Sequence, residues 1–214
     1  MPRKLTPLEE EERYNSMLII EKEKKTEGYN LICGVDEAGR GPLAGAVYAA
    51  AVILPQDIVI PGLNDSKKLS EKRREELFEI IIEKAKAYSI ASVGEKRIDE
   101  INILNATFEA MNKAVNSLSI QPDYVLIDGN RIKGMSIPHE TVVKGDAKSA
   151  SIAAASILAK VSRDRYITKL AEKYPEYGFE KHKGYGTAAH NEAILKYGPC
   201  EIHRRTFLKK LLGE

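Results

Sequence analysis

Hydrophobic and polar positions change period several times along the chain. Residues 1–28 are rich in Glu and Lys, with one apolar patch at Met17, Leu18, Ile19 and Ile20. That spacing predicts a solvent-facing helix that packs a single stripe on the rest of the protein. Two apolar runs of strand length follow, at 31–35 and 45–54. Residues 55–66 hold Pro55, Pro61 and Asn64-Asp65 and read as a loop. Ser70 is a candidate N-cap, and Leu77, Ile80, Ile81 and Lys84 keep helical spacing, so 70–87 reads as a helix. Residues 88–95 read as a strand. Asp99 is expected to cap a helix running to about 118, with Ile103, Phe108, Met111 and Val115 on its apolar side and Pro122 stopping the chain beyond it. Short buried strands are expected at 124–127 and 141–143. A long helix is expected over 148–173, its first half almost entirely Ala, Ser and Ile, small enough to lie close against a sheet. A polar loop over 177–186, a helix over 187–197 and an amphipathic tail over 206–212 complete the pattern. No internal repeat or low-complexity linker interrupts it.

Strands cluster early and then alternate with helices. That order predicts a mixed α/β fold whose sheet is part antiparallel and part parallel. The 214 residues suit one domain, or one domain with a small appendage. A chain of this size can bury a core without disulfides or a structural metal. Cys33 and Cys200 stand far apart and form no zinc spacing, which fits a reducing, cytoplasmic setting. The charged N-terminus lacks a secretory apolar region, and no run approaches the roughly 20 apolar residues of a membrane span. Net charge is only +2, so local clusters matter more: Lys67-Lys68, Lys72-Arg73-Arg74, residues 181–183, and His203-Arg204-Arg205 with Lys209-Lys210. Each cluster taken alone reads equally well as a solvated face.

Three acidic positions share one context. Asp36 (with Glu37), Asp128 and Asp146 are each expected just past the end of a short apolar strand. Ligands gather outside the carboxyl ends of strands in sheets with parallel neighbours. Carboxylates converging there repel one another unless a cation is present, and hard divalent cations prefer such all-oxygen sites. Two such ions can promote phosphodiester hydrolysis. Each acid also has a purely structural reading: Asp128-Gly129 as a turn, Asp146 as a helix cap, Asp36-Glu37 as the opening of a polar loop. The loop from 37 to 45 is the most specific feature. It lacks the phosphate-binding P-loop pattern, but its glycines let backbone N–H groups approach a ligand, and Arg40 suits an anionic partner.

Gly34-Val35-Asp36-Glu37-Ala38-Gly39-Arg40-Gly41-Pro42-Leu43-Ala44-Gly45 resembles the opening signature of bacterial ribonuclease HII. Further blocks match in order: Asp65-Ser66-Lys67-Lys68-Leu69, Leu126-Ile127-Asp128-Gly129, Lys144-Gly145-Asp146, Ala154-Ala155-Ser156-Ile157-Leu158-Ala159-Lys160-Val161 with Arg163-Asp164, and His182-Lys183-Gly184-Tyr185-Gly186-Thr187. The resemblance covers about 31 to 190. It implies a ribonuclease H-like mixed sheet flanked by helices over 29–214, with a helical C-terminal part from about 175; residues 1–28 stand outside it as the charged helical extension read above. It implies that Asp36, Glu37, Asp128 and Asp146 are metal-binding catalytic carboxylates for Mg²⁺ or Mn²⁺. Gly39, Arg40 and Gly41 would read the ribonucleotide's 2′-hydroxyl, the group that separates RNA from DNA. Tyr185 would pack on the next sugar; from the residues alone it reads equally as a loop aromatic on the core. Lys67, Lys68, Lys160 and Arg163 are candidates for phosphate contacts, with Lys160 and Arg163 open to a simple surface role.

The implied activity is cleavage of the RNA strand of RNA–DNA hybrids, and of DNA duplexes on the 5′ side of embedded ribonucleotides. It leaves 5′-phosphate and 3′-hydroxyl ends, in a monomer that removes ribonucleotides from DNA. Three alternatives stand beside it, one of them another nuclease on the same core, such as a junction resolvase, from which the Gly39-Arg40-Gly41 loop distinguishes it. Ribonuclease HIII carries an extra N-terminal domain that about 30 residues do not supply, and it tends to have Glu for one Asp ligand. A non-catalytic hybrid-binding module would have no need of four carboxylates. The tail at 207–212 reads as a helix with one apolar stripe, or less simply as a docking segment for a replication partner.

Overall fold

Five strands form one mixed sheet in the order β3-β2-β1-β4-β5. They are β1 (Ile32–Ala38), β2 (Val47–Ile53), β3 (Ala87–Val93), β4 (Tyr124–Asp128) and β5 (His139–Val142). β1 pairs with β2, and β2 with β3, in antiparallel fashion; β1 pairs with β4, and β4 with β5, in parallel. This is the part-antiparallel, part-parallel α/β sheet expected from the order of elements. The computed structural model describes residues 6–55 and 58–214. Residues 1–5 of the expected first helix and residues 56–57 of the expected 55–66 loop lie outside the described residues.

The sheet's two faces follow the period of two along its strands. Cys33 and Val35 of β1, with Ala49, Ala51 and Ile53 of β2, face helix α4 (Glu95–Asn116). Ala50 and Val52 face the opposite way, toward α3 (Glu71–Lys84) and α5 (Ala150–Lys173). Leu77 and Ile81 of α3 are fully buried there, and each contributes about 2 kcal/mol of apolar burial. α5 comes unusually close to β1. A Cβ placed on Gly34 would lie 2.1 Å from the Ser151 carbonyl carbon and 2.2 Å from the Ile152 nitrogen. The run of small residues expected to let a helix approach a sheet does so at this point.

The N-terminal segment differs from the single helix expected. It forms α1 (Pro7–Ser16) and α2 (Ile19–Thr26), with a break at Met17-Leu18. The break has a use: the Met17 carbonyl accepts the Ala150 N–H at 2.9 Å, at the start of α5. From α2, Glu21 Oε1 accepts the Ser149 and Ser151 hydroxyls at 2.6 and 2.8 Å and the Ser151 N–H at 3.2 Å. An acid thus sits at the positive end of the long α5 helix.

Ser70 caps α3 as expected, accepting the Arg73 N–H at 3.3 Å. Asp99 does not cap α4. That helix starts from Gly94 and breaks at Asn102 (φ 66°), whose side chain accepts the N–H groups of Leu104 and Asn105. Asp99 instead caps α8 (Arg205–Leu212) across the molecule, accepting the N–H groups of Arg205 and Thr206 at 2.8 and 3.0 Å. Asp99→Ala is therefore expected to lower stability by about 1 kcal/mol, the usual worth of a cap. Urea unfolding reads this as a lower midpoint at unchanged slope; an unchanged midpoint would contradict it.

The expected polar loop at 177–186 holds a turn of 3₁₀ helix (Pro175–Tyr177) and a short α6 (Phe179–His182). Tyr177 and Phe179, stacked 5.4 Å apart and buried, seed a satellite core there. α7 (Ala188–Tyr197) follows from a Thr187 cap. In α8, Leu208 is buried, and Phe207, Leu211 and Leu212 pack partly buried on the protein's own core. Among the described residues no helix is long and apolar enough to cross a membrane.

Candidate active site

Asp36, Glu37 and Asp128 sit earlier than the sequence placed them, while Asp146 follows β5 as expected. Asp36 and Glu37 lie inside β1, which runs to Ala38, and Asp128 is the last residue of β4. The strand outlasts its apolar run because pairing with β2 continues to Ala38↔Tyr48. The parallel register Val35↔Ile127 sets Asp36 alongside Asp128. Asp146 lies in a 3₁₀ turn (Gly145–Ala147) after β5, where the Gly145 N–H bonds Asp128 Oδ1 at 2.7 Å. One bond therefore ties the third acid to the turn that carries the fourth.

These carboxylates press on one another. Burial raises the Asp36 carboxyl well above the ordinary carboxylate range, and the charges of Glu37 and Asp128 add to it. Glu37 is raised by burial and by Asp128, with Arg40 opposing. Asp128 is raised by burial and by the charge of Asp146. Positive partners are few and peripheral: Arg40 Nη1 lies 3.3 Å from Glu37 Oε1, and the exposed Lys67 Nζ lies 3.2 Å from Asp146 Oδ2. Asp36 and Glu37, as strand neighbours, leave opposite faces of the sheet. Among the described residues, no three acidic, His or Cys side chains are gathered closely enough to hold one ion.

Because folding raises these pKa values, the folded protein binds more protons than the unfolded chain between the two values. Stability therefore falls as pH rises through that window. Asp36→Asn removes one of these penalties and keeps an acceptor for the Glu37 N–H, now 2.7 Å from Asp36 Oδ1. In chelator at neutral pH the variant is expected to melt about 2–4 °C higher, equivalent to about 1 kcal/mol at this chain length. A lower melting temperature would contradict the repulsion.

The loop after β1 runs beside the acids. Gly39 has φ +96°, and a Cβ there would lie 2.1 Å from Arg163 Nε, so both backbone and space require glycine. Gly41 adjoins Tyr185, whose Cε1 would lie 3.7 Å from a Cβ at that position. Tyr185 is 43% exposed, and its ring is flanked by Lys160 Nζ at 6.0 Å and the Arg163 guanidinium at 5.9 Å. It therefore stands at the surface beside the glycine loop.

The basic candidates divide. Lys67 and Lys68 are exposed. Lys160 pairs with Asp164 Oδ1 at 2.8 Å, one turn along the same helix. Arg163 departs from its expected place on an exposed face. It is buried and donates to the carbonyls of Ala44, Ala46 and Lys183 at 3.1, 3.3 and 3.1 Å. Its guanidinium holds backbone and is turned away from solvent phosphates.

Two contributors were missed by sequence reasoning. The Ser156 hydroxyl, on α5, bonds the Asp36 carboxyl and Ser66 Oγ; nothing in the sequence sets it apart from Ser149 and Ser151 in the same small-residue run. Arg204, read as part of a solvated basic cluster, is fully buried, and so is its neighbour His203. Nothing in the sequence separates Arg204 from the exposed Arg205.

The family model described as ribonuclease HII matches residues 33–210. The ribonuclease HII of Caldicellulosiruptor saccharolyticus is 59% identical over 193 residues, covering 90% of this chain and 94% of that protein. Among solved structures, the ribonuclease H2 of Pyrococcus horikoshii is similar with a TM-score of 0.71 and 32% identity, covering 85% of this chain and 97% of that one. The ribonuclease HII of Archaeoglobus fulgidus, solved in complex with PCNA, is similar with a TM-score of 0.68 and 27% identity, covering 82% and 94%.

Proposed function

The chain belongs to the ribonuclease HII family and is a ribonuclease H enzyme, and from that premise we propose that it hydrolyses the RNA strand of RNA–DNA hybrids and nicks duplex DNA on the 5′ side of embedded ribonucleotides. The supporting observation is one juxtaposition. Four mutually repelling carboxylates lie beside a glycine loop whose exposed backbone can meet a ribose. Membership in this family sets aside the ribonuclease HIII and binding-module alternatives.

We assign Asp36, Glu37, Asp128 and Asp146 as the residues that would hold Mg²⁺ or Mn²⁺. The donor set fits: all oxygen, strongly anionic, with too little positive charge nearby to balance it. That no three of them close on one point suits ions that take one or two carboxylates each and fill their remaining places with water and phosphate oxygens. Bound there, such ions would supply an activated water and charge stabilisation at the leaving oxygen.

The chain's own groups do the rest. Ser156 and the Glu37 N–H hold Asp36 in place, and the Gly145 N–H holds Asp128. Lys67 and Lys68 draw the backbone phosphates toward the acids. The Gly39-Arg40-Gly41 loop meets the ribose. Tyr185 packs on the following sugar, where a deoxyribose allows the closest approach. Lys160, at the edge of the Tyr185 ring, is set to meet the next phosphate. The task that follows is removal of ribonucleotides from DNA. A replication partner for the tail is the lesser proposal: the Archaeoglobus protein was solved in complex with PCNA, but the apolar side of α8 here packs on the protein's own core.

The test is cleavage of an end-labelled RNA–DNA hybrid with Mg²⁺ or Mn²⁺. The expected products carry 5′-phosphate and 3′-hydroxyl ends and vanish in chelator. Cyclic phosphate ends, or cleavage unaffected by chelator, would overturn the reading.

A further inference from the structure

Among the described residues, no carboxylate pairs with the guanidinium of Arg204. It lies inside the protein, where Nε donates to the Gly45 carbonyl at 2.9 Å, Nη1 to Arg40 at 2.9 Å, and Nη2 to Gly39 and Gly45 at 2.6 and 2.7 Å. Burial, together with the positive charge of Arg163, pushes its pKa down to about 9. A buried cation is expensive unless its surroundings satisfy it, and here three backbone carbonyls of a single loop do so.

Those bonds fix more than the position of the loop. No peptide among the described residues is cis, and a trans peptide points its carbonyl and its N–H in opposite directions. The Gly39 and Arg40 carbonyls face inward, onto Arg204. The N–H groups of Arg40 and Gly41 therefore face outward. Both residues are exposed, and neither N–H has an acceptor among the described residues.

The same C-terminal segment also anchors Tyr185. The Cys200 N–H donates to His203 Nδ1 at 3.0 Å, His203 Nε2 lies 3.0 Å from His190 Nε2, and His190 Nδ1 lies 2.9 Å from the Tyr185 carbonyl. An amide can only donate and a carbonyl only accept, so one proton arrangement satisfies the chain. Both imidazoles are neutral, with His203 Nε2–H donating to His190 and His190 Nδ1–H donating to Tyr185. Burial holds both histidines down to about 4, so the chain stays intact at neutral pH.

We infer that Arg204 is the positioning residue for 2′-hydroxyl recognition: by holding two consecutive carbonyls inward it aims two adjacent N–H donors at the ribose. This rests on the proposed ribonucleotide reading. Arg204 touches no substrate itself, and a site built to bond a hydroxyl discriminates strongly against a partner lacking one.

The test compares binding of two duplexes by anisotropy in chelator, identical except that one carries a single ribonucleotide and the other is all DNA. The proteins are wild type, Arg204→Lys and Arg204→Gln, each checked for folding by its thermal transition. In a folded variant the ribonucleotide-to-DNA affinity ratio is expected to fall about tenfold, the worth of roughly one hydrogen bond, with all-DNA affinity unchanged. An equal loss on both duplexes, or an unchanged ratio, would overturn the inference. Unfolding of both variants would assign Arg204 to stability alone and overturn it too. A wild-type protein that binds both duplexes equally would overturn the ribonucleotide reading underneath.

Discussion

Asp128→Asn is expected to lower hybrid cleavage by about a thousandfold or more while leaving hybrid binding in chelator within about threefold. Asn keeps the shape of the side chain and one oxygen for the Gly145 N–H that now bonds Asp128 Oδ1. The turn carrying Asp146 should therefore stay in place. What is lost is one negative charge from a cluster that burial and mutual repulsion make eager for cations. Loss of a group that helps hold catalytic ions removes several kcal/mol of transition-state stabilisation, and each 1.36 kcal/mol is about tenfold in rate. Binding is expected to rest on other groups, those proposed above: the exposed lysines, the glycine loop and Tyr185. Single-turnover kinetics on a hybrid, with anisotropy in chelator beside it, separates the two effects. Near-wild-type cleavage would remove Asp128 from the site, and a matching collapse of binding would show that the acid acts on structure.

Gly34→Ala is expected to have the largest effect on stability. The added methyl carbon would fall 2.1–2.5 Å from the backbone of Ser151 and Ile152, at the first turn of α5. Backbone cannot swing aside as a side chain can, so relief requires moving the helix off the sheet. That helix carries Ser156, and its first turn is tied to the N-terminal helices through Glu21 and Met17. Overpacking of a well-packed core typically costs about 1–3 kcal/mol, and a backbone contact this short belongs beyond that range. We expect at least about 3 kcal/mol lost in urea unfolding, or no folded protein at all. A loss below about 1 kcal/mol would mean that α5 does not approach β1 so closely.

What the sequence shows clearly is what short-range physics dictates. Ser70 and the spacing of Leu77 and Ile81 mark α3, and the apolar runs mark β1 and β2, because caps and periodicity are local properties. The acids were found as strand-end candidates, but Asp36, Glu37 and Asp128 were placed late, since a strand's end is set by its partner's pairing and the apolar run alone does not show it. Asp99 and Asn102 illustrate the limit. Asp99 resembles a local cap and serves a helix about a hundred residues away, and Asn102 takes the local role. Arg163 and Arg204 illustrate it further. Arginine usually lies at the surface, so a sequence gives no reason to bury two beside one loop. Only the folded chain shows that the loop's inward carbonyls supply their partners.

Cutting at ribonucleotides by an acidic cluster beside a ribose-reading loop can be read on a DNA duplex carrying one embedded ribonucleotide. The product is mapped to the nucleotide with Mg²⁺, with Mn²⁺ and with chelator. The expected product is a single nick on the 5′ side of that ribonucleotide, dependent on the added ion. Uncut duplex in either ion, or a nick at another position, would contradict it.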